Sequence, residues 1–227
     1  MQITISTFNE RTEEIELYYD ALKELSDSKY TMDSHKKFFN DDFFKILKSN
    51  ALLMIYNLVE STILGGILEI YDTIKQENIT YNMVSSQIQK IWFSFKFNQV
   101  YKKESHYYSY QNKAEEIINS ILNNETLALD RKATNISGNL DATKIRQLCQ
   151  EHGITFSTNQ DSKGGIVLSD IKNKRNNLAH GTISFVECGR DYTFDDLVQI
   201  KNQTISFLRS ILDGMQQYYT EKLYLTH

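Results

Sequence analysis

The sequence predicts an all-α helical bundle, and three observations predict it. Proline is absent from all 227 residues, so nothing in the chain forces a helix to break. Apolar residues recur at helical spacing in several long segments. One of these, residues 41–76, is apolar nearly all round, which marks a helix buried on most sides. The expected architecture is one domain spanning 1–227, with four to five main helices and a small insert at about 124–165. Hydrophobic residues make up 41% of the chain, with 14 Tyr and 12 Phe, which supplies material for one substantial core.

The first helix is read from "NERTEEIELYYDALKELSDS". Ile15, Leu17, Tyr18, Leu22 and Leu25 share a face there, and Asn9 or Thr12 serves as the cap because acids follow in the next turn. The second, "DDFFKILKSNALLMIYNLVESTILGGILEIYDTIKQ", carries few polar residues. Asn57, Glu60 and Ser61 stand at i, i+3 and i+4, on one stripe. A carboxylate on a buried helix requires a partner. Gly65 and Gly66 signal a close helix contact or a kink. Residues 81–113 interleave aromatics (Trp92, Phe93, Phe95, Phe97, Tyr101, Tyr107, Tyr108, Tyr110) with Lys90, Lys96, Lys102 and Lys103. That texture fits an aromatic connection packed on the bundle with its lysines outward, or a stacking surface for unpaired bases. "NLDATKIRQLCQEHG" reads as a short helix capped by Asp141 and stopped by Gly153. "LSDIKNKRNNLAHG" starts at a Ser169 or Asp170 cap and stops at Gly181. "ISFVECGRDYTF" reads as a β-hairpin-like connection turning at Gly189. Thr193 then caps a long final helix whose Leu197, Ile200, Ile205, Leu208, Ile211 and Leu212 face inward, and "QQYYTEKLYLTH" reads as its frayed end.

Composition narrows the function classes. No run of eighteen apolar residues occurs, so no membrane span or membrane partner is expected. The N-terminal "MQITISTFNERTEEIELYY" lacks the charged and apolar regions of a signal peptide. Cys149 and Cys188 are too few for a disulfide framework or a zinc cage. Cys188 lies in "VECGRD", which suits a turn better than a thiol nucleophile. The remaining histidines (His35, His106, His152, His227) show no ligand spacing, so no metal and no cofactor are expected. A reduced, cytoplasmic protein is the expectation. The formal net charge is −4, so any contact with nucleic acid must use a local positive site rather than a basic surface.

Residues 174–181, "KRNNLAHG", hold the most informative constellation. Histidine moves protons near neutral pH, and arginine offers a permanent planar fork to phosphate oxygens. RNA carries its own nucleophile, the 2′-hydroxyl. His180 suits the general acid or base of its attack, and Arg175 the stabiliser of charge growing on the phosphoryl oxygens. Five residues separate the two, about 140° around a helix. They meet one phosphate only if Gly181 ends the helix and lets His180 swing onto the turn, or if two copies of the chain face each other across a two-fold axis. By spacing alone the stretch is also compatible with a polar helix end closed by glycine.

"IKNKRNNLAHG", placed before a final long amphipathic helix, resembles the Arg-x4–6-His signature of HEPN domains, including a polar residue directly after the arginine. "LLMIYNLVEST" and "SGNLDATKIRQLCQEHGI" resemble the branch found with bacterial defence and restriction loci, and the resemblance runs from about Asp41 to Tyr219. It implies an α-helical bundle, homodimerisation and metal-independent endoribonuclease activity, often as a toxin or abortive-infection effector. On this resemblance Arg175 and His180 match the catalytic pair and Asn176 its polar companion, with Glu60 in support. Lys174, Asn177, Asn57 and Ser61 are further candidates for RNA contact. The implied partners are an RNA substrate, such as a tRNA or another structured loop, a second copy of the chain, and a separate antitoxin or regulatory protein. The alternative is a non-catalytic HEPN-like module that binds RNA, nucleotide or protein with the same face.

Overall fold

In the computed structural model, residues 1–28, 41–98, 107–136 and 138–226 are described. His35, Tyr101, Lys102, Lys103, His106 and His227 lie outside the described residues. Among the described residues eight α-helices follow one another: α1 (Gln2–Ser28), α2 (Asp41–Gln76), α3 (Ser86–Asn98), α4 (Tyr107–Leu122), α5 (Ala142–His152), α6 (Val167–Ala179), α7 (Phe185–Arg190) and α8 (Phe194–Thr220), with 3-10 turns at Tyr81–Met83, Arg131–Thr134 and Gln160–Gly165. Among the described residues there is no β-strand, only isolated bridges between Thr80 and Thr126 and between Val84 and Leu225.

Helix α2 is the central post, with α1, α6, α7 and α8 packed around it. By length and hydropathy it could cross a membrane, yet 56% of that window is buried inside the fold. Three of its polar residues are engaged by neighbouring elements, which offsets part of the cost of burying them. The Lys48 ammonium donates to the Tyr192 carbonyl, Glu69 accepts from the Thr4 backbone and hydroxyl at 2.9 and 2.7 Å, and Glu60 faces Arg175. The two glycines mark a close contact in an unbroken helix. A methyl added at Gly66 would stand 2.4 Å from the Met215 sulfur of α8.

Local signals set several boundaries as the sequence indicated. The Asp141 carboxylate accepts from the Lys144 N–H, and Thr193 and Asp196 form a reciprocal capping box at the start of α8. Other expectations are corrected. Helix α1 begins at Gln2, so Asn9 and Thr12 are interior, and the Thr12 hydroxyl donates to the Phe8 carbonyl one turn back. Helix α6 begins at Val167 with no side-chain cap. Asp170 instead accepts from the Tyr192 hydroxyl.

The hairpin-like connection is a helix, α7. Ser184 and Glu187 make a capping box there, and Gly189 serves close packing rather than a turn. A β-carbon at Gly189 would lie 1.9 Å from the Lys45 carbonyl oxygen of α2, so only glycine lets the two helices approach this closely. The segment that follows α8 does not fray as far as Thr226. Tyr224 is buried, its carbonyl accepts from the Ser85 N–H at 2.8 Å, and the Thr226 N–H donates to the Met83 carbonyl.

The aromatic segment divides between interior and surface. Trp92 is buried against Tyr81, with the Lys96 ammonium 5.5 Å from its ring, whereas Phe93 and Tyr108 are exposed.

Candidate functional site

Arg175 sits on the last turns of α6, facing α2. Its guanidinium carbon lies 5.1 Å from the centroid of the Tyr56 ring, within the range of a cation–π contact. Nη2 is 3.8 Å from Glu60 Oε2. Nη1 donates to Asn176 Oδ1 at 3.0 Å and, weakly, to the Gly138 carbonyl at 3.5 Å. The group is half-buried, so a ring, a carboxylate and a strap of chain hold it while part of it faces solvent.

Residues 138–140 form that strap, and Tyr56 pins it. The Tyr56 hydroxyl donates to the Gly138 carbonyl at 2.7 Å and accepts from the Leu140 N–H at 3.0 Å. Burial pushes this phenol up to about 12, with the Glu60 charge adding to the rise and the Leu140 N–H and Arg175 opposing it. The phenol therefore stays protonated and keeps its grip on the strap across the physiological range. Asn139 completes the link, its Oδ1 accepting from Asn176 Nδ2 at 2.7 Å. Tyr56, Gly138 and Asn139 were not among the residues singled out from the sequence. The available signal for Tyr56 was its position one turn before Glu60 on the same face of α2.

The far end of α6 is built differently. His180 is the cap residue, followed by Gly181 at φ +68°. The Gly181 N–H donates to the Leu178 carbonyl and the Thr182 N–H to the Asn177 carbonyl, at 3.2 and 2.9 Å. This is a Schellman closure, which needs a left-handed residue and so selects glycine. The His180 imidazole is exposed and makes no hydrogen bond or ion pair among the described residues.

The remaining candidates are distributed around this pair. Lys174 is engaged by Asp191 at 2.5 Å and lies over the Tyr192 ring; the Asp191 hydrogen bond holds its ammonium above its ordinary pKa. Lys172 pairs with Asp141, the cap of α5. With Asp170 on Tyr192, these contacts fix α6 along its length. Asn177 and Asn57 are exposed, and the Ser61 hydroxyl donates to the Leu58 carbonyl of its own helix at 3.1 Å. The structure thus brings Arg175, Asn176 and Glu60 into one cluster, leaves Asn57 and Asn177 open to solvent, and turns Lys174 towards α7. One Glu60 oxygen, Oε1, is buried with no hydrogen-bond partner. That leaves the carboxylate's contribution here as charge and shape beside the guanidinium rather than a tight hydrogen bond.

Cys149 and Cys188 are both buried free thiols, and burial raises the pKa of each, which is the wrong direction for a nucleophile at neutral pH. Among the described residues no group of three or more His, Cys, Asp or Glu side chains is placed to hold a metal ion.

No curated protein and no solved structure matches the chain significantly. The profile of the MAE_28990-like HEPN family matches residues 3–224. That match spans nearly the whole helical chain, and the Arg-x4-His stretch it includes closes a bundle helix just ahead of the last long one: the chain belongs to the HEPN family.

Proposed function

We propose that the protein is a metal-independent endoribonuclease that works as a homodimer, each copy giving one Arg175 and one His180 to a shared cleft. The observation that carries this reading is the contrast at the end of α6: a guanidinium braced on several sides and, five residues on, an exposed imidazole with no hydrogen-bond partner among the described residues. Within one copy the two residues are separated by about 7.5 Å along the helix axis and about 140° around it. That divergence is the argument for a second copy, whose histidine can face the first copy's arginine.

In the proposed reaction an imidazole takes the proton of the ribose 2′-hydroxyl, and that oxygen attacks the adjacent phosphorus. The bond from phosphorus to the 5′-oxygen breaks, and the departing oxygen takes a proton from an imidazolium. The products are a 2′,3′-cyclic phosphate and a 5′-hydroxyl. Arg175 stabilises the charge that accumulates on the phosphoryl oxygens. Asn177 and Asn57, both exposed, serve as the contacts to ribose or base in this reading, while Asn176 and Lys174 act by holding Arg175 and α6. Loops with unstacked bases, as in tRNA, are the substrates most open to such a site. Toxin or abortive-infection activity in the cytoplasm, restrained by a separate protein, is the setting that this chemistry suits.

The test is direct. Purified protein should cut RNA in excess EDTA and leave 2′,3′-cyclic phosphate ends; intact RNA, or cutting only after a divalent metal is added, refutes the proposal. Arg175→Ala and His180→Ala should each abolish cleavage while the protein still runs as a dimer, and full cleavage by either variant counts against the shared cleft.

One observation favours a second reading. The Arg175 guanidinium already pairs with Glu60 and Asn176, as a phosphate-binding module without catalysis would also have it. RNA binding unchanged by His180→Ala, with no cleavage by the wild type, selects that reading.

A further inference from the structure

We propose that Asn139 is a substrate-binding residue whose side-chain amino group donates to a phosphoryl oxygen of an RNA strand held at Arg175, a role that rests on Arg175 binding phosphate as proposed above. A one-way chain of hydrogen bonds carries it. An arginine side chain only donates, so the Asn176 oxygen has to face Nη1, 3.0 Å away. The Asn176 amino group is thereby turned outward, and it donates to Asn139 Oδ1 at 2.7 Å. One end of the Asn139 amide remains, and it is the donor. An exposed carboxamide ordinarily turns either end to water; here the fixed polarity of the guanidinium sets both amides in sequence.

The backbone under Asn139 is fixed as well. It lies between Gly138 and Leu140, whose carbonyl and N–H are both held by the Tyr56 hydroxyl. The side chain is exposed, and its amino group has no hydrogen-bond partner among the described residues. Two acids stand close by, and each faces a cation: Glu60 lies beside Arg175, and Asp141 is paired with Lys172 at 2.6 Å. Asparagine amides are regular donors to phosphate oxygens in nucleic-acid complexes, and a charged acceptor makes the stronger bond. Arg175 then supplies the charge that attracts the phosphate, and Asn139 supplies direction.

Binding is measured on the full chain with 2′-O-methyl oligonucleotides of A, C and U. These lack the attacking hydroxyl, so they report affinity whether or not the protein cleaves RNA. Asn139→Ala, at an exposed position, should melt with the wild type and raise Kd about tenfold for all three. A loss confined to one base overturns the phosphoryl contact. Equal affinity of variant and wild type, or no binding by the wild type at millimolar concentration, overturns the proposal outright. A double-mutant cycle separates contact from support. In an Asn176→Ala protein, Asn139→Ala should still weaken binding several-fold; no further loss makes Asn139 a mere prop for Asn176 and sinks the idea. Asn139→Asp keeps an acceptor for Asn176 and removes the donor, so wild-type affinity in that variant is equally fatal. Asn139-dependent binding by a wild type that leaves ordinary RNA intact keeps the contact and refutes the ribonuclease reading.

Discussion

Two histidines close two helices in the same way and end in opposite situations. His152 closes α5 and His180 closes α6. Each is followed by a glycine in the left-handed region, and each closure has the same pair of backbone hydrogen bonds: Gly153 to Gln150 and Ile154 to Cys149, Gly181 to Leu178 and Thr182 to Asn177. Yet His152 is buried. Its Nδ1 faces the Leu148 carbonyl at 2.7 Å, which makes that nitrogen the protonated one, so Nε2 accepts from the Tyr71 hydroxyl at 2.6 Å. The ring also stacks on Tyr71. His180 has none of this. The next residue marks the difference: Ile154 is buried and pulls its helix end into the core, whereas Thr182 is exposed and leaves its helix end in water. A helix closure supplies backbone geometry alone; the residue beyond the glycine decides whether the ring becomes structure or remains available for chemistry.

The largest effect expected from breaking this comparison is on activity. His180→Ala should cut RNA cleavage by about 10²- to 10⁴-fold, while its urea midpoint stays at the wild-type value because the exposed ring makes no hydrogen bond or ion pair among the described residues. Initial cleavage rates and denaturation curves on the same preparation check both halves. A His180→Ala protein that unfolds easily would remove the contrast.

The counterpart, His152→Ala, should cost about 2–4 kcal/mol of stability by leaving the Tyr71 hydroxyl without its acceptor beside a new cavity. Cleavage per folded molecule should be unchanged. Chemical denaturation, with activity scaled to the folded fraction, measures this.

The two histidines also differ in what pH does to them. Burial lowers the His152 pKa below its ordinary 6.5, outweighing the Leu148 hydrogen bond and the Glu151 charge that raise it. The unfolded chain therefore takes up a proton as pH falls through 6.5, while the folded chain does so only at lower pH. With more protons bound to the unfolded state, this contribution is complete above 6.5 and is lost as pH falls through the folded value. Urea midpoints measured from pH 8 down to pH 5 should decline, and the His152→Ala protein should lose that part of the slope.

The smallest effect concerns the strap. Tyr56→Phe keeps the ring under Arg175 but frees Gly138 and Leu140 from its hydroxyl. It should cost about 1 kcal/mol of stability and slow cleavage several-fold, with KM nearly unchanged. A wild type that cleaves RNA and a variant of equal rate would show that the strap does not position the arginine.

The sequence's readable features were those with local causes. Asp141, Gly153, Gly181 and Thr193 satisfy helix-end groups within a few residues of themselves, so their roles were legible. The bounds of α2 were legible because its flanks turn polar abruptly. The short helix α7 was misread although "SFVE" carries a capping-box pattern, since the Gly189 beside it looked like a turn residue. Its true role depends on Lys45, more than a hundred positions away.

The candidate site divides in the same way. Arg175 and His180 drew notice as residue types with known chemistry at a helix end. The parts that hold the arginine, Tyr56, Gly138 and Asn139, come from two other segments and have no signature of their own, because an aromatic ring on a core helix and a glycine in a loop occur everywhere.

By itself the sequence determined that this chain is a bundle of long helices with an arginine and a histidine five residues apart where one of them stops. That information is carried by periodicity and caps, which act over a few residues. Only the tertiary structure decided which histidine is buried, which carboxylate meets the arginine, and that a strap from beyond α4 lies across it. Those outcomes depend on contacts between residues distant in the chain, and their energies exist only once the helices have packed.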